Sequence, residues 1–291
     1  MKIKKLISAL VLGSMLVGLS GCNITDFSAE NLLRPPKAVG DEAEIEQLIA
    51  KTADSGYTLK YPKNGKFRSA IIMTDLDGND SNEAVAFFRN SAETSSVHML
   101  VMYSKDNSWE IASDNIFETT DIDSVDFADL TGNGKAEIIV NSTTYTPNVG
   151  KLSCYSYSEG KTNEVGSGQS CSSFVTGDFD NDGTSEIMSF VLYTTENEAL
   201  ASMLDYNEDS KSLYAKAMAN MDPNVVKYKN IAVTKLDNDI TGVVVDGTSA
   251  NEVTNTQVIF YSRDLAILRN PLFKEKAKNF CFSQIEITYS I

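Results

Sequence analysis

Histidine and tryptophan are almost missing: the 291-residue chain holds one of each, His98 and Trp109. With a single imidazole, no site needing several histidines can be built, and any Ser-His-Asp or Cys-His relay would have to centre on His98. That residue lies in an alternating apolar run, which makes it a packed or outward strand residue rather than a base. No glycine loop with phosphate-binding spacing and no zinc-type cysteine spacing occurs. A glycosidase needs only a carboxylate pair, but the clustered acids all belong to repeated loops, and Trp109 reads as packing rather than a sugar platform. Long apolar runs are also scarce. The longest mainly apolar stretch, Leu6 to Leu19, is shorter than the roughly 20 residues a permanent membrane span requires. Bases are outnumbered, 25 Lys and Arg against 40 Asp and Glu, for a formal net charge of −15. A surface of that sign repels nucleic acid and anionic head groups and draws cations.

The N-terminus places Lys2, Lys4 and Lys5 before the apolar stretch and small residues before Cys22, the pattern of a cleaved signal peptide over residues 1–21. Leu19-Ser20-Gly21-Cys22 resembles the lipobox of bacterial lipoproteins, which implies acylation of Cys22 and a lipid anchor at the extracytoplasmic face of the cell membrane. Acyl chains contribute about 0.8 kcal/mol per buried CH₂, enough to hold a domain without a spanning helix. Cleavage would remove three lysines and no acid, leaving the remainder more acidic still. Residues 22–40, with Pro35 and Pro36 adjacent, read as an extended tether. Within residues 41–56, Asp41 to Ala53 reads as an amphipathic helix: Ile45, Leu48 and Ile49 share a face, and Asp41, Glu42 and Glu44 crowd the N-terminal turn, where the helix dipole favours acids.

From Tyr57 onward the chain repeats. Four segments share a template of strand, loop rich in Asp, Asn and Gly, then an acid opening a second strand: SAIIMTDLDGNDSNEAVAFF from Ser69, SVDFADLTGNGKAEIIV from Ser124, SFVTGDFDNDGTSEIMSF from Ser173 and NIAVTKLDNDITGVVVDG from Asn230. The first loop positions, Asp75, Asp129, Asp178 and Lys235, are 54, 49 and 57 residues apart. A second landmark, the tyrosines Tyr103, Tyr157, Tyr206 and Tyr261, keeps nearly the same period with gaps of 54, 49 and 55. Each unit predicts four short strands; in the first they cover 70–74, 84–88, 97–103 and 109–112. Four antiparallel strands recurring at about 50 residues are the pattern of propeller blades, so the expected fold class is all-β, a β-propeller with a short N-terminal helix.

The loops resemble the FG-GAP and VCBS-type repeats of integrin-like and bacterial surface propellers, with the pattern Asp-x-Asp-x-Asp-Gly-x-x-Asp/Glu. The Leu-Leu-Arg-Pro-Pro-Lys segment and the helix resemble those of clostridial surface propeller lipoproteins. The chemistry of the loops stands on its own. A hard cation takes six to eight oxygens near 2.4 Å, and acids at alternate turn positions aim several carboxylates into one concavity. Asp178, Asp180, Asp182 and Glu186 form the fullest set, followed by Asp75, Asp77, Asn79 and Glu83, where Asp80 replaces the usual glycine. Asp129, Asn133 and Glu137 make a third set weakened by Thr131, and the fourth loop has lost its outer ligands to Lys235 and Val243. The cofactor these sets suggest is structural Ca²⁺. The competing reading is Asx turns that close on themselves without metal.

Beyond Cys22 the chain has Cys154, Cys171 and Cys281. A Cys154–Cys171 bridge across a sheet corner is one option, and free buried thiols are the other. Function points to a non-catalytic binding module held at the membrane by its lipid, with a protein or glycan ligand and no nucleic acid. The alternatives are an accessory or catalytic domain of a cell-wall or polysaccharide-degrading enzyme, and a purely structural envelope protein. At this period, residues 69–291 hold about four units and a remainder. Residues 283–291 resemble one more first strand, so the expectation is an incomplete ring of about four blades plus one strand, a truncated copy of a longer protein.

Overall fold

A computed structural model describes residues 40–269 except 55, 94, 194, 195, 197, 238 and 239. The expected leader, Cys22, most of the expected tether, Cys281 and the expected terminal strand lie outside the described residues. Gly40 takes φ of +63° and its carbonyl accepts the Ala43 amide at 3.1 Å, starting helix α1 (Asp41–Ala53) where the sequence places it.

The rest is antiparallel β-structure in four sheets taken in chain order. The first holds β1 (Tyr57–Leu59), β2 (Ile71–Thr74), β3 (Glu83–Asn90), β4 (Val97–Lys105) and β5 (Ser108–Phe117). Both β1 and β2 pair with β3, at opposite ends of it, so this is a four-stranded meander with a three-residue addition. The second sheet is β6 (Ile122–Ala128), β7 (Glu137–Thr143), β8 (Gly150–Ser158) and β9 (Lys161–Cys171). In the third come β10 (Ser173–Gly177), β11 (Glu186–Tyr193), β12 (Glu198–Asn207) and β13 (Ser212–Asn220). The fourth comprises β14 (Val225–Asp237), β15 (Ile240–Ser249), β16 (Thr254–Tyr261) and β17 (Leu265–Arg269). All four repeat tyrosines fall on the third strand of their sheet, near its end.

Period-two alternation sends each central strand's side chains to two different neighbours. In β3, Val85 and Phe87 join Met99, Val101, Ile138, Val140 and Tyr155 in the core shared with the second sheet. The intervening Ala84, Ala86 and Phe88 turn the other way and meet Ile45 and Ile49 of α1. Ile139, Leu152 and Cys154 pack with Ile187, Leu204 and Leu213 between the second and third sheets, and Met188, Phe190 and Met203 with Val243, Val245 and Ile259 between the third and fourth. Each first strand lies at a sheet edge, and β10 packs against both β6 and β14. Fourth strands meet likewise, β9 against β5 and β13, and β13 against β17.

One predicted strand boundary needs correction. The fourth strand of the first sheet is longer than 109–112, because a bulge between Val101 and Met102 carries the pairing on to Phe117. Within Tyr57 to Tyr61, the first three residues form β1 and pair with β3 in the first sheet. Cys154 and Cys171 are free and buried. Cys171 pairs opposite Gly150, four residues along β8 from Cys154, and that offset of about 13 Å exceeds disulfide reach. Burial pushes the Cys171 thiol up to about 12, which keeps it unreactive at neutral pH. His98 is packed, stacked on Phe88 at 4.8 Å with Nδ1 2.9 Å from Asp114 and Nε2 3.3 Å from Glu93. Among the described residues, no helix is long and apolar enough to cross a membrane.

Candidate metal centre

The link from first to second strand is built the same way in three sheets. Position two is an apolar anchor, Leu76, Leu130 or Phe179, at most 1% exposed, and its amide donates to the glutamate at position nine: Leu76 to Glu83, Leu130 to Glu137 and Phe179 to Glu186, each at 2.8 Å. The position-six amide donates to the first aspartate, at 2.9 Å from Asp80 to Asp75, 2.8 Å from Gly134 to Asp129 and 3.2 Å from Gly183 to Asp178. That residue needs a left-handed backbone, which explains the glycine preference; Asp80 adopts it at φ +65° beside +80° for Gly134 and +92° for Gly183. Successive loops are joined as well: Ala136 donates to the Leu76 carbonyl at 3.0 Å and Ser185 to that of Asp129 at 2.9 Å.

Spare oxygens separate the loops. In the third, single ligand atoms of Asp178, Asp180, Asp182 and Glu186 all lie within 4.8 Å of one another. Glu186 is 0% exposed, yet its Oε1 has no hydrogen-bond partner, and neither does Oδ1 of Asp178. Burial, together with Asp180, Asp182 and Asp205, pushes the Glu186 carboxyl up to about 8 despite the Phe179 amide. Such oxygens are costly to leave unmatched, and a hard cation is the partner that satisfies several at once. Asp75, Asp77 and Glu83 form a smaller cluster, with Asp77 Oδ1 unpartnered and Glu83 also raised by burial. Asn79 instead binds the Ser81 amide at 2.7 Å through its side-chain oxygen.

In the second loop the corresponding oxygens have partners within the loop. Thr131 puts its hydroxyl 3.2 Å from Glu137 Oε1, the oxygen whose counterpart in Glu186 is left over. Asp129 Oδ1 takes the Asn133 amide at 3.1 Å and Asn133 Oδ1 the Lys135 amide at 2.9 Å. Only here do Asx-type bonds satisfy the loop. Thr131→Asp should therefore convert it into a third cluster, adding one calcium to the count in native mass spectrometry; an unchanged count would show that acid number does not set occupancy. In the fourth sheet Lys235 donates instead to Thr241 at 2.8 Å.

One feature is invisible in the motif. Lys216 of β13 reaches both Asp180 and Asp205, the latter at 2.8 Å. Against its partial burial, these carboxylates hold the ammonium above its usual range. Lys216 is a tethered cation beside the third cluster, and a metal ion bound there would share Asp180 with it. No protein-family model matches the chain, and no curated protein matches it either.

Proposed function

We propose that residues 57–291 form a propeller-type, non-catalytic binding module, tethered outside the cytoplasm through acylated Cys22, whose first and third acidic loops are stiffened by structural calcium. The carrying observation is the third loop, where a fully buried glutamate and a neighbouring aspartate each keep an oxygen without a partner inside a cluster of four carboxylates. Four meanders repeated in order, with first strands adjacent to first strands and fourth to fourth, support the blade arrangement. The non-catalytic reading is supported by what the acids do: those that cluster are engaged in holding loops, and His98 is packed between carboxylates. The fold by itself assigns no ligand.

The test is thermal unfolding of the soluble domain in EGTA and in millimolar Ca²⁺. Binding to the folded state alone contributes about 4 kcal/mol at a thousandfold excess over the dissociation constant, so the midpoint should rise by about 10 °C for a domain of this size. Equal midpoints in the two buffers would remove calcium from the account, and turnover of a polysaccharide by the pure domain would overturn the non-catalytic reading.

A further inference from the structure

The acidic loops lie where first strands end; a different chemistry gathers where they begin. A groove of about 750 Å³ is lined by the starts of β6, β10 and β14, the β7–β8 turn and residues 63–68. Five cations line it, Lys63, Lys66, Arg68, Lys227 and Lys229, against two acids, Asp123 and Asp126, in a chain whose net charge is −15. Both acids are already engaged. Asp126 accepts from Lys66 at 3.2 Å and from the Thr176 hydroxyl at 2.9 Å, and Asp123 from the Asn64 side-chain amide at 2.9 Å. Lys63 is paired with Asp121 outside the groove. Arg68, Lys227 and Lys229 remain exposed, and none has a side-chain hydrogen bond or ion pair among the described residues.

The frame behind these cations is fixed. Lys63 and Asn64 donate backbone bonds to Ile122 and Asp123 on the edge of β6, at 3.2 and 2.7 Å, and the Phe67 ring sits edge-on to Phe127 with centroids 4.9 Å apart. Amides and hydroxyls fill the space between, including Asn141, whose buried Oδ1 has no partner, and Thr143, Asn148, Ser172 and Asn230. Aromatic faces that would stack nucleobases are not on offer: Phe174 packs in the core between the second and third sheets, and Tyr228 is packed against Phe190.

We propose that this groove binds an acidic oligosaccharide, its carboxylates meeting Arg68, Lys227 and Lys229 and its hydroxyls meeting the amide and hydroxyl lining. The inference rests on the binding-module reading and names its ligand class. The volume is that of a small-molecule site, large enough for a few sugar units, and unpaired cations facing hydroxyl-rich walls suit a ligand carrying both charge and hydroxyls. On strands of five to seven residues, the groove and the acidic loops are separated by about 20 Å, so the repulsion from the loops is largely screened at physiological salt.

The experiment is isothermal titration of the soluble domain with tetragalacturonate, with cellotetraose, tetraglutamate and inorganic phosphate as comparators. Tetragalacturonate should bind at least tenfold more tightly than any of these and weaken as salt rises. Lys227→Gln with Lys229→Gln should cost about tenfold per cation, with the thermal midpoint unchanged. Equal or tighter binding of tetraglutamate would make this a peptide groove, and equal binding of phosphate an anion site without sugar recognition. Equal binding of cellotetraose would make the cations irrelevant, and insensitivity to the double substitution would place the site elsewhere. If none of the four probes binds while calcium still raises the midpoint, the groove assignment falls and the calcium-stabilised module stands.

Discussion

Glu186→Gln is expected to raise the thermal midpoint of the calcium-free protein by about 5 °C at pH 8 and to erase the third loop's response to calcium. Burial raises this carboxyl to about 8 in the folded chain, whereas an unfolded glutamate titrates near 4.3. A carboxyl raised on folding contributes stability that is complete below the unfolded value and is lost as pH climbs through the folded one. The calcium-free parent should therefore lose midpoint steadily between about pH 4.5 and 8, and Glu83 and Glu137, raised in the same direction, add to the trend. Glutamine carries no charge to desolvate, keeps an oxygen for the Phe179 amide and brings an NH₂ to a cluster rich in acceptors. At pH 5 variant and parent should coincide. Melting curves at three pH values in EGTA and in Ca²⁺ measure all of this, and a variant less stable than its parent at pH 8 in EGTA would contradict the assignment of unmatched charge to Glu186.

The largest loss of stability is expected from Ile45→Ala combined with Ile49→Ala. Both side chains are at most 1% exposed and pack with Ala84, Ala86, Phe88, Leu100, Met102 and Trp109. Each truncation costs about 2–5 kcal/mol, and two neighbours fall short of additivity. A combined loss of about 5 kcal/mol lowers the midpoint by roughly 15 °C and bares an apolar sheet face that should bind a hydrophobic dye and drive self-association. Leu48→Ala, at a half-buried position, serves as the milder comparison. A double variant that melts with the parent would mean that the helix contributes nothing to holding that face.

Much of this was legible in the chain because it is local. Helix α1 follows from the spacing of Ile45, Leu48 and Ile49, and the loops follow from Asp, Asn and Gly at positions whose backbone demands those residues. The phase of the repeat survives even where Asp80 stands for glycine, since aspartate tolerates the left-handed region better than most residues. What could not be read depends on partners far apart in sequence. Lys216 meets Asp180 across 36 residues, and the groove's free cations come from residue 68 and from 227 and 229, none of which belongs to a motif. Thr131 was legible as a missing acid but not as a hydroxyl that completes Glu137. The outer strand β5 buries only Trp109 and Phe117 of its ten residues, and its bulge breaks the period by which strands are recognised.

The helix that covers the first sheet also sets an order of events. A chain crossing a membrane emerges N-terminal part first, and α1 precedes the sheet it covers, so the first meander can bury one face before any later sheet has emerged. Each following meander then finds a finished surface waiting for it, and every docking step joins segments adjacent in sequence. Folding of the described sheets can thus run from the N-terminal side forward, with one sticky surface exposed at a time.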